Sequence, residues 1–95
     1  MAAFKLGDTV VTKGIADRME ADSLFRKFIY VSLGRYIRND WGDTCEEDAK
    51  QNDESVESNE RILAVYNVPG SADEKIWIIT EWDRSVTTIL FPEEY

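Results

Sequence analysis

The clearest hydrophobic pattern lies near the end of the chain, in residues 75–91. An apolar run from Ile76 to Ile79 and a second run from Val86 to Phe91 flank the polar segment 81–85. Short runs rich in β-branched and aromatic residues, separated by a polar segment, are typical of a β-hairpin. We therefore predict two strands joined by a turn at residues 81–85.

A second pattern, after Asp22 and Ser23, predicts an amphipathic helix. Either residue can cap its first turn, and the segment 39–42 ends it. The apolar positions recur at helical spacing. They are Leu24, Phe25, Phe28, Ile29, Leu33, Tyr36 and Ile37. We expect the Ile and Trp residues of the hairpin to bury against this helix, and Trp41 to anchor the following loop in the core.

The remaining segments have weaker patterns. The pattern predicts a strand over residues 4–12, which is interrupted at residues 13–14. It then favours a short helix over residues 15–20. Asp43 and Glu46 resemble a capping box, which predicts a helix from Asp43 to about Val56. Its thin apolar stripe of Cys45, Ala49 and Val56 indicates a surface position. Residues 61–68 predict another strand, residues 69–74 a turn, and residues 92–95 a tail.

The resulting order, β-α-α-α-β-β-β, indicates one α+β domain over residues 1–95. Three consecutive strands with short links form an antiparallel meander at the C-terminal end. The two to three helices cover one face of it, giving two layers together with the N-terminal strand. A length of 95 residues suits a single domain with a small core.

The charge is concentrated in one segment. The chain has a net charge of −8, with 19 acidic and 11 basic residues. Residues 40–60 contain nine acids and one lysine, which alone gives −8. Direct nucleic-acid binding requires a basic surface, so this balance argues against it and against binding to an anionic membrane. It favours a basic protein partner.

The acidic segment allows three interpretations. It is a solvated helix that keeps the protein soluble, a binding face for a basic surface (including a mimic of nucleic-acid phosphates), or a calcium site. The calcium loop pattern fails, because Cys45 and Asp48 stand where a ligand and a glycine are required. The candidate protein-binding residues are Asp43, Glu46, Glu47, Asp53, Glu54 and Glu57.

The hairpin turn offers an alternative site for a small ligand. Arg84 has the geometry to bind a carboxylate or phosphate, and Trp82 can stack on a planar group. The competing interpretation is structural, with Asp83 accepting backbone hydrogen bonds within the turn.

Composition argues against most catalytic chemistry. The chain has no histidine and one cysteine, which excludes histidine-based catalysis and the usual zinc sites. We predict no enzyme activity, no cofactor and no metal. Cys45 lies near a helix N-terminus, which lowers a thiol pKa, but its acidic neighbours oppose this and a buried thiol is favoured. The N-terminus lacks a signal-peptide pattern and no apolar run spans a membrane, which predicts a cytoplasmic protein.

Several motifs resemble a family of small bacterial proteins carried on plasmids and other mobile elements. They are the ending from residue 75 to 95, the Asp-Trp-Gly-Asp segment at 40–43 followed by Glu47, Asp48 and Asn52, and the Arg-Ile-Leu run at 61–63 with Tyr66. The resemblance implies a mobile-element accessory protein and carries over no catalytic residue. Inhibition of host defence nucleases is the role that this context implies.

Overall fold

The computed structural model describes residues 4–95 and contains three α-helices and four strands. The prediction that the N-terminus is not a signal peptide includes residues 1–3, which lie outside the described residues. In chain order the elements are β1 (Asp8–Val11), α1 (Lys13–Ala21), α2 (Ser23–Tyr36), α3 (Glu46–Ser58), β2 (Ile62–Asn67), β3 (Lys75–Thr80), β4 (Val86–Leu90) and a 3-10 turn (Pro92–Glu94).

The strands form one mixed sheet in the order β1-β4-β3-β2. β2, β3 and β4 are antiparallel neighbours, which confirms the predicted meander, and β1 pairs parallel to β4. The predicted α+β order is also confirmed. β1 is shorter than the predicted strand of residues 4–12. It starts after Gly7, whose φ of +65° turns the chain beside the carbonyl groups of Arg84 and Ser85.

The core lies between α2 and one face of the sheet. Ile78 of β3 pairs with Ala64 of β2 and Ile89 of β4, and all three side chains are fully buried. Phe25 and Ile29 of α2 complete this core. The predicted hairpin therefore is the centre of the sheet, as its uninterrupted apolar pattern indicated.

Two predicted core contacts are wrong. Leu24 is 78% exposed, because α2 turns Phe25, Ile29 and Tyr36 inward and leaves Leu24 on the outer side. Trp77 does not pack on α2. Side chains alternate along a strand, so Trp77 lies on the opposite sheet face from Ile78 and contacts the Tyr95 ring edge-on at 5.6 Å. The predicted buried position of Trp41 is confirmed.

Helix α1 begins earlier than predicted and includes Gly14. Thr12, at the N-cap position just before the helix, makes no side-chain cap. The cap comes instead from a residue at the far end of the chain. The Glu94 carboxylate accepts hydrogen bonds from the Gly14 N–H at 3.0 Å and the Thr12 hydroxyl at 2.6 Å. A carboxylate near a helix N-terminus also interacts favourably with the helix dipole. The predicted interruption of the strand at residues 13–14 is confirmed, and a long-range contact allows the helix to start there rather than at Ile15.

The predicted helix start at Asp43 is also wrong. Helix α3 begins at Glu46 and ends at Ser58, with Cys45 at its N-cap position and no side-chain cap. Cys45 is exposed, so the predicted burial of this thiol is wrong. The capping box does not form because the Asp43 carboxylate is used by the sheet instead.

The free edge of β2 is occupied by side chains and by a short loop rather than by another strand, and the Asp43 N–H donates to the Val65 carbonyl at 2.8 Å. Asp43 accepts a hydrogen bond from the Asn67 N–H at 2.8 Å, and the Thr44 hydroxyl accepts one from the Val65 N–H at 2.8 Å. Gly42, with a φ of +65°, lets this loop approach the strand closely. These contacts satisfy backbone groups that would otherwise invite pairing with another chain.

Asn52 of α3 completes the edge. Its amide nitrogen donates to the Leu63 carbonyl at 2.9 Å, and its amide oxygen accepts from the Leu63 N–H at 3.3 Å. The side chain thus replaces the two hydrogen bonds of a neighbouring strand. It also fixes the position of α3 against the sheet.

Replacing Asn52 by Ala is expected to lower the free energy of unfolding by about 2 kcal/mol, because both partly buried backbone groups of Leu63 lose their partner. Urea denaturation measures the change. The nearby, exposed Lys50→Ala is the matched control and should cost less than about 0.5 kcal/mol. Equal losses in the two variants would contradict the assignment of Asn52 as the partner of this edge.

The Glu94 cap predicts a defined pH dependence. Hydrogen bonds from Thr12, Phe91 and Gly14 hold the pKa of Glu94 below its usual value of 4.5. The folded pKa is depressed, so the cap stabilises the protein above about pH 4.5, and this contribution disappears as the pH falls through the folded pKa.

Glu94→Gln should therefore unfold more easily than the wild type at pH 7, by up to about 1 kcal/mol for this exposed group. The difference should shrink below about pH 4.5. Thermal unfolding between pH 3 and pH 7 measures it, with Glu93→Gln as the control. A difference that grows with acidity would show that Glu94 does not act as a charged cap.

Candidate protein-binding surface

Helix α3 carries six of the nine acidic residues of segment 40–60, and its orientation decides which of them are available. Asn52 and Ser55 are buried against the rest of the protein, and Ala49 and Val56 are partly buried beside them. The opposite side of the helix therefore faces outward. Its apolar stripe is thin, as predicted, because two polar residues occupy the inward positions.

Four of the six predicted site residues share this outward side. Glu46, Glu47, Glu54 and Glu57 are exposed, and within residues 4–95 none of their carboxylates forms an ion pair or a hydrogen bond. We call these four residues the acidic face. Glu46 and Glu57 are eleven positions apart, which corresponds to about 16 Å along the helix axis.

The other two predicted residues are engaged in the fold. Asp53 accepts a hydrogen bond from the Trp41 indole N–H at 2.9 Å, and Asp43 accepts from the backbone of β2. Asp40, at the start of the acidic segment, binds Arg35 through both carboxylate oxygens at 2.8 and 3.0 Å. The hydrogen bonds from Arg35 hold the pKa of Asp40 below its ordinary value. The acidic segment therefore contains both structural and free carboxylates.

Arg84, the predicted ligand-binding cation of the hairpin turn, points inward. Its guanidinium donates to the carbonyls of Ser55 at 2.7 Å, Glu60 at 2.8 Å and Glu81 at 3.0 Å. Ser55 lies near the C-terminal end of α3, where its carbonyl also accepts from the N–H groups of Asn59 and Glu60 and where a cation interacts favourably with the helix dipole. α3 has no basic residue of its own in its last turn. Arg84 therefore joins the hairpin tip to the end of the acidic helix.

The other two residues of the turn do not converge with Arg84. Asp83 accepts hydrogen bonds from the N–H and the hydroxyl of Ser85, and these bonds lower the pKa of Asp83. Trp82 projects away from the protein and is 66% exposed. Trp82 and the Arg84 guanidinium, which were predicted to form a ligand site together, therefore point in different directions.

The role of Arg84 has no local signal in the sequence. Its φ of +59° is uncommon for a non-glycine residue, and its three acceptors come from two distant segments and its own turn. Asn52 is similar, because an asparagine inside a helix gives no indication that it binds a strand. Both residues position the acidic face without belonging to it.

Two further properties concern the part of the chain that the structure describes. Within residues 4–95, no helix is long and apolar enough to cross a membrane. In the same range, no three His, Cys, Asp or Glu side chains are grouped as metal ligands.

Replacing Arg84 by Ala should destabilise the protein by about 2 kcal/mol, since three carbonyls lose a charged donor. Arg84→Gly removes the cost of the positive φ and should still be less stable than the wild type. This variant distinguishes the loss of the guanidinium hydrogen bonds from an effect on the backbone conformation. Hydrogen exchange should also become faster in the last turn of α3. The neighbouring, exposed Trp82→Ala should change stability by less than about 0.5 kcal/mol. If it costs as much as Arg84→Ala, the guanidinium does not fasten α3.

Comparisons of the chain with protein-family models, with curated proteins and with solved structures give no match. The resemblance to plasmid-borne proteins therefore stays a prediction, and function has to be argued from the surface itself.

Proposed function

We propose that this protein is a non-enzymatic binding protein that docks onto a basic surface of another protein through the acidic face of α3. The observation that carries the proposal is the division of the carboxylates. Asp40, Asp43 and Asp53 have partners in the fold, whereas Glu46, Glu47, Glu54 and Glu57 have none within residues 4–95.

The charge distribution supports this proposal. The segment 40–60 contributes −8, which equals the net charge of the whole chain. A concentration of one sign of charge attracts an oppositely charged surface and accelerates association, more strongly at low salt.

The fixed position of α3 on the protein also supports the proposed binding function. Asn52 binds the helix to the sheet, and Arg84 binds its final turn to the hairpin. The carboxylates are therefore held at the spacing of a fixed helix, and less conformational entropy is lost when a partner binds.

The length of the acidic face favours a partner that normally binds nucleic acid. Phosphates follow one another at about 3.4 Å along each strand of DNA, so the roughly 16 Å of the acidic face spans about five of them. We infer that the target is the basic groove of a DNA-handling or defence protein, which the acidic face occupies as a nucleic-acid mimic. The plasmid-type resemblance suggests the same target, a host defence nuclease.

The alternative function, a small-ligand module at residues 81–85, has less support. Both terminal nitrogens of Arg84 are bound to backbone carbonyls, and Asp83 is engaged by Ser85. A ligand would have to displace these contacts or bind to Trp82 alone.

Capture of partners from bacterial lysate tests the proposal. The variant Glu46→Gln, Glu47→Gln, Glu54→Gln, Glu57→Gln should bind the captured partner about 10–100-fold more weakly, at roughly 0.5 kcal/mol per exposed charge. Wild-type capture should decrease at about 1 M salt, where the screening length falls to about 3 Å. Double-stranded DNA should compete for the partner if the acidic face is a mimic.

A matched control removes the same charge elsewhere. Asp8→Asn, Glu20→Gln, Asp73→Asn and Glu93→Gln together also change the net charge from −8 to −4, at exposed positions outside α3. This variant should retain capture. If both variants lose binding equally, net charge rather than the acidic face is responsible, and if neither does, the proposed surface is wrong.

A further inference from the structure

An apolar groove lies on the side of the protein away from the hairpin turn. It has a volume of about 450 Å³ and runs between the first half of α2 and the loop after β2. Leu24, Phe28 and Val31 line one side, and Val68 and Pro69 line the other. Leu24 and Val31 are 78% and 52% exposed, which is unusual for aliphatic residues so close together. The groove is large enough for one bulky aromatic side chain.

The rim of this groove carries one unpaired positive charge. Arg18 is bound to both carboxylate oxygens of Glu74, at 2.9 and 3.1 Å. Asp22 caps α2 by accepting from the backbone N–H groups of its first turn. Lys27 has no carboxylate partner within residues 4–95. The occupant that fits is therefore an apolar group with one negative charge placed to reach Lys27.

The chain itself displays such a group at the hairpin tip. Trp82 is 66% exposed and is followed by Asp83, whereas the Glu81 carboxylate before it pairs with Arg61 at 3.6 Å. The turn beneath it is held by backbone hydrogen bonds from Glu81 to Val86 and from Arg84 to Glu81. A large side chain on a rigid turn loses little conformational freedom when it inserts into a pocket.

The tip and the groove lie at opposite ends of the sheet. Glu74, which holds Arg18 beside the groove, immediately precedes β3, whereas Glu81 immediately follows it. A six-residue strand is about 20 Å long, so Trp82 does not reach the groove of its own molecule. A contact between the two surfaces therefore has to join different copies.

We propose that a second copy of this chain occupies the groove, with Trp82 inserted between Leu24, Val31 and Val68 and with Asp83 close to Lys27. The two surfaces differ, so the association is head-to-tail and extends into short chains or a ring. It uses neither α3 nor the acidic face, and it is independent of the proposed function.

The contact is small, and the affinity follows from its size. One tryptophan buries about 150–250 Å², and with its neighbours the interface remains below the roughly 1,200 Å² of a stable complex. We expect a reversible association with a dissociation constant of about 100 µM, weakened by salt.

Sedimentation equilibrium from about 10 µM to about 1 mM tests the proposal around that constant. The wild type should show a rising average mass. Trp82→Ala removes the inserted side chain, and Leu24→Asp places a negative charge in the groove, so each variant alone should weaken association at least about tenfold. Tyr30→Asp is the matched control, because Tyr30 is 63% exposed on α2 but does not line the groove, and it should associate like the wild type.

Mixing the two defective variants gives the decisive result. Trp82→Ala retains an intact groove and Leu24→Asp retains an intact tip, so their mixture should form one-to-one dimers that do not extend further. Circular dichroism confirms that each variant is folded. A wild type that stays monomeric at about 1 mM, a Trp82→Ala variant that associates normally, or a mixture that stays monomeric would overturn the proposal.

Discussion

A chain of buried hydroxyl groups determines how α2 lies on the sheet. The hydroxyls of Tyr36, Thr80 and Thr87 follow one another at 2.7 Å, and Thr87 donates to the Leu6 carbonyl at 2.7 Å. Each hydroxyl has one proton, so the last donation fixes the direction of the others, from Tyr36 to Thr80 and from Thr80 to Thr87. Burial raises the pKa of Tyr36, which keeps it protonated as the first donor. A shift of α2 would leave a buried hydroxyl without a partner, at a cost of about 1–3 kcal/mol.

The same requirement, that buried polar groups find partners, explains the acidic helix. Asn52 satisfies the edge of β2, and Arg84 donates to the Ser55 carbonyl near the end of α3, so one helix is fixed at two points by polar contacts rather than by a wide apolar stripe. The residues on the outer side of α3 are therefore not needed to hold the helix in place. The carboxylates that remain there are the basis of the proposed function, whereas Asp43 and Asp53 contribute to the fold.

Several predictions failed where a distant segment competed with a local pattern. The capping box at Asp43 did not form because the Asp43 carboxylate accepts a hydrogen bond from the Asn67 N–H of β2 instead. The helix expected from Ile15 starts instead at Lys13, because Glu94 supplies the cap from the other end of the chain. In each case the local sequence was consistent with the prediction, and a contact between residues far apart in the chain decided the outcome.

The sequence by itself determined the order of the elements, the central hairpin, the buried Trp41 and the concentration of negative charge in residues 40–60. These features depend on side-chain periodicity and composition, which act locally. Only the tertiary structure decided which acids are free, that Arg84 turns inward while Trp82 projects, and that Leu24 lines a groove instead of the core. Those outcomes depend on which groups meet across the fold, because hydrogen bonds and ion pairs act over a few ångströms between residues whose separation in sequence is large.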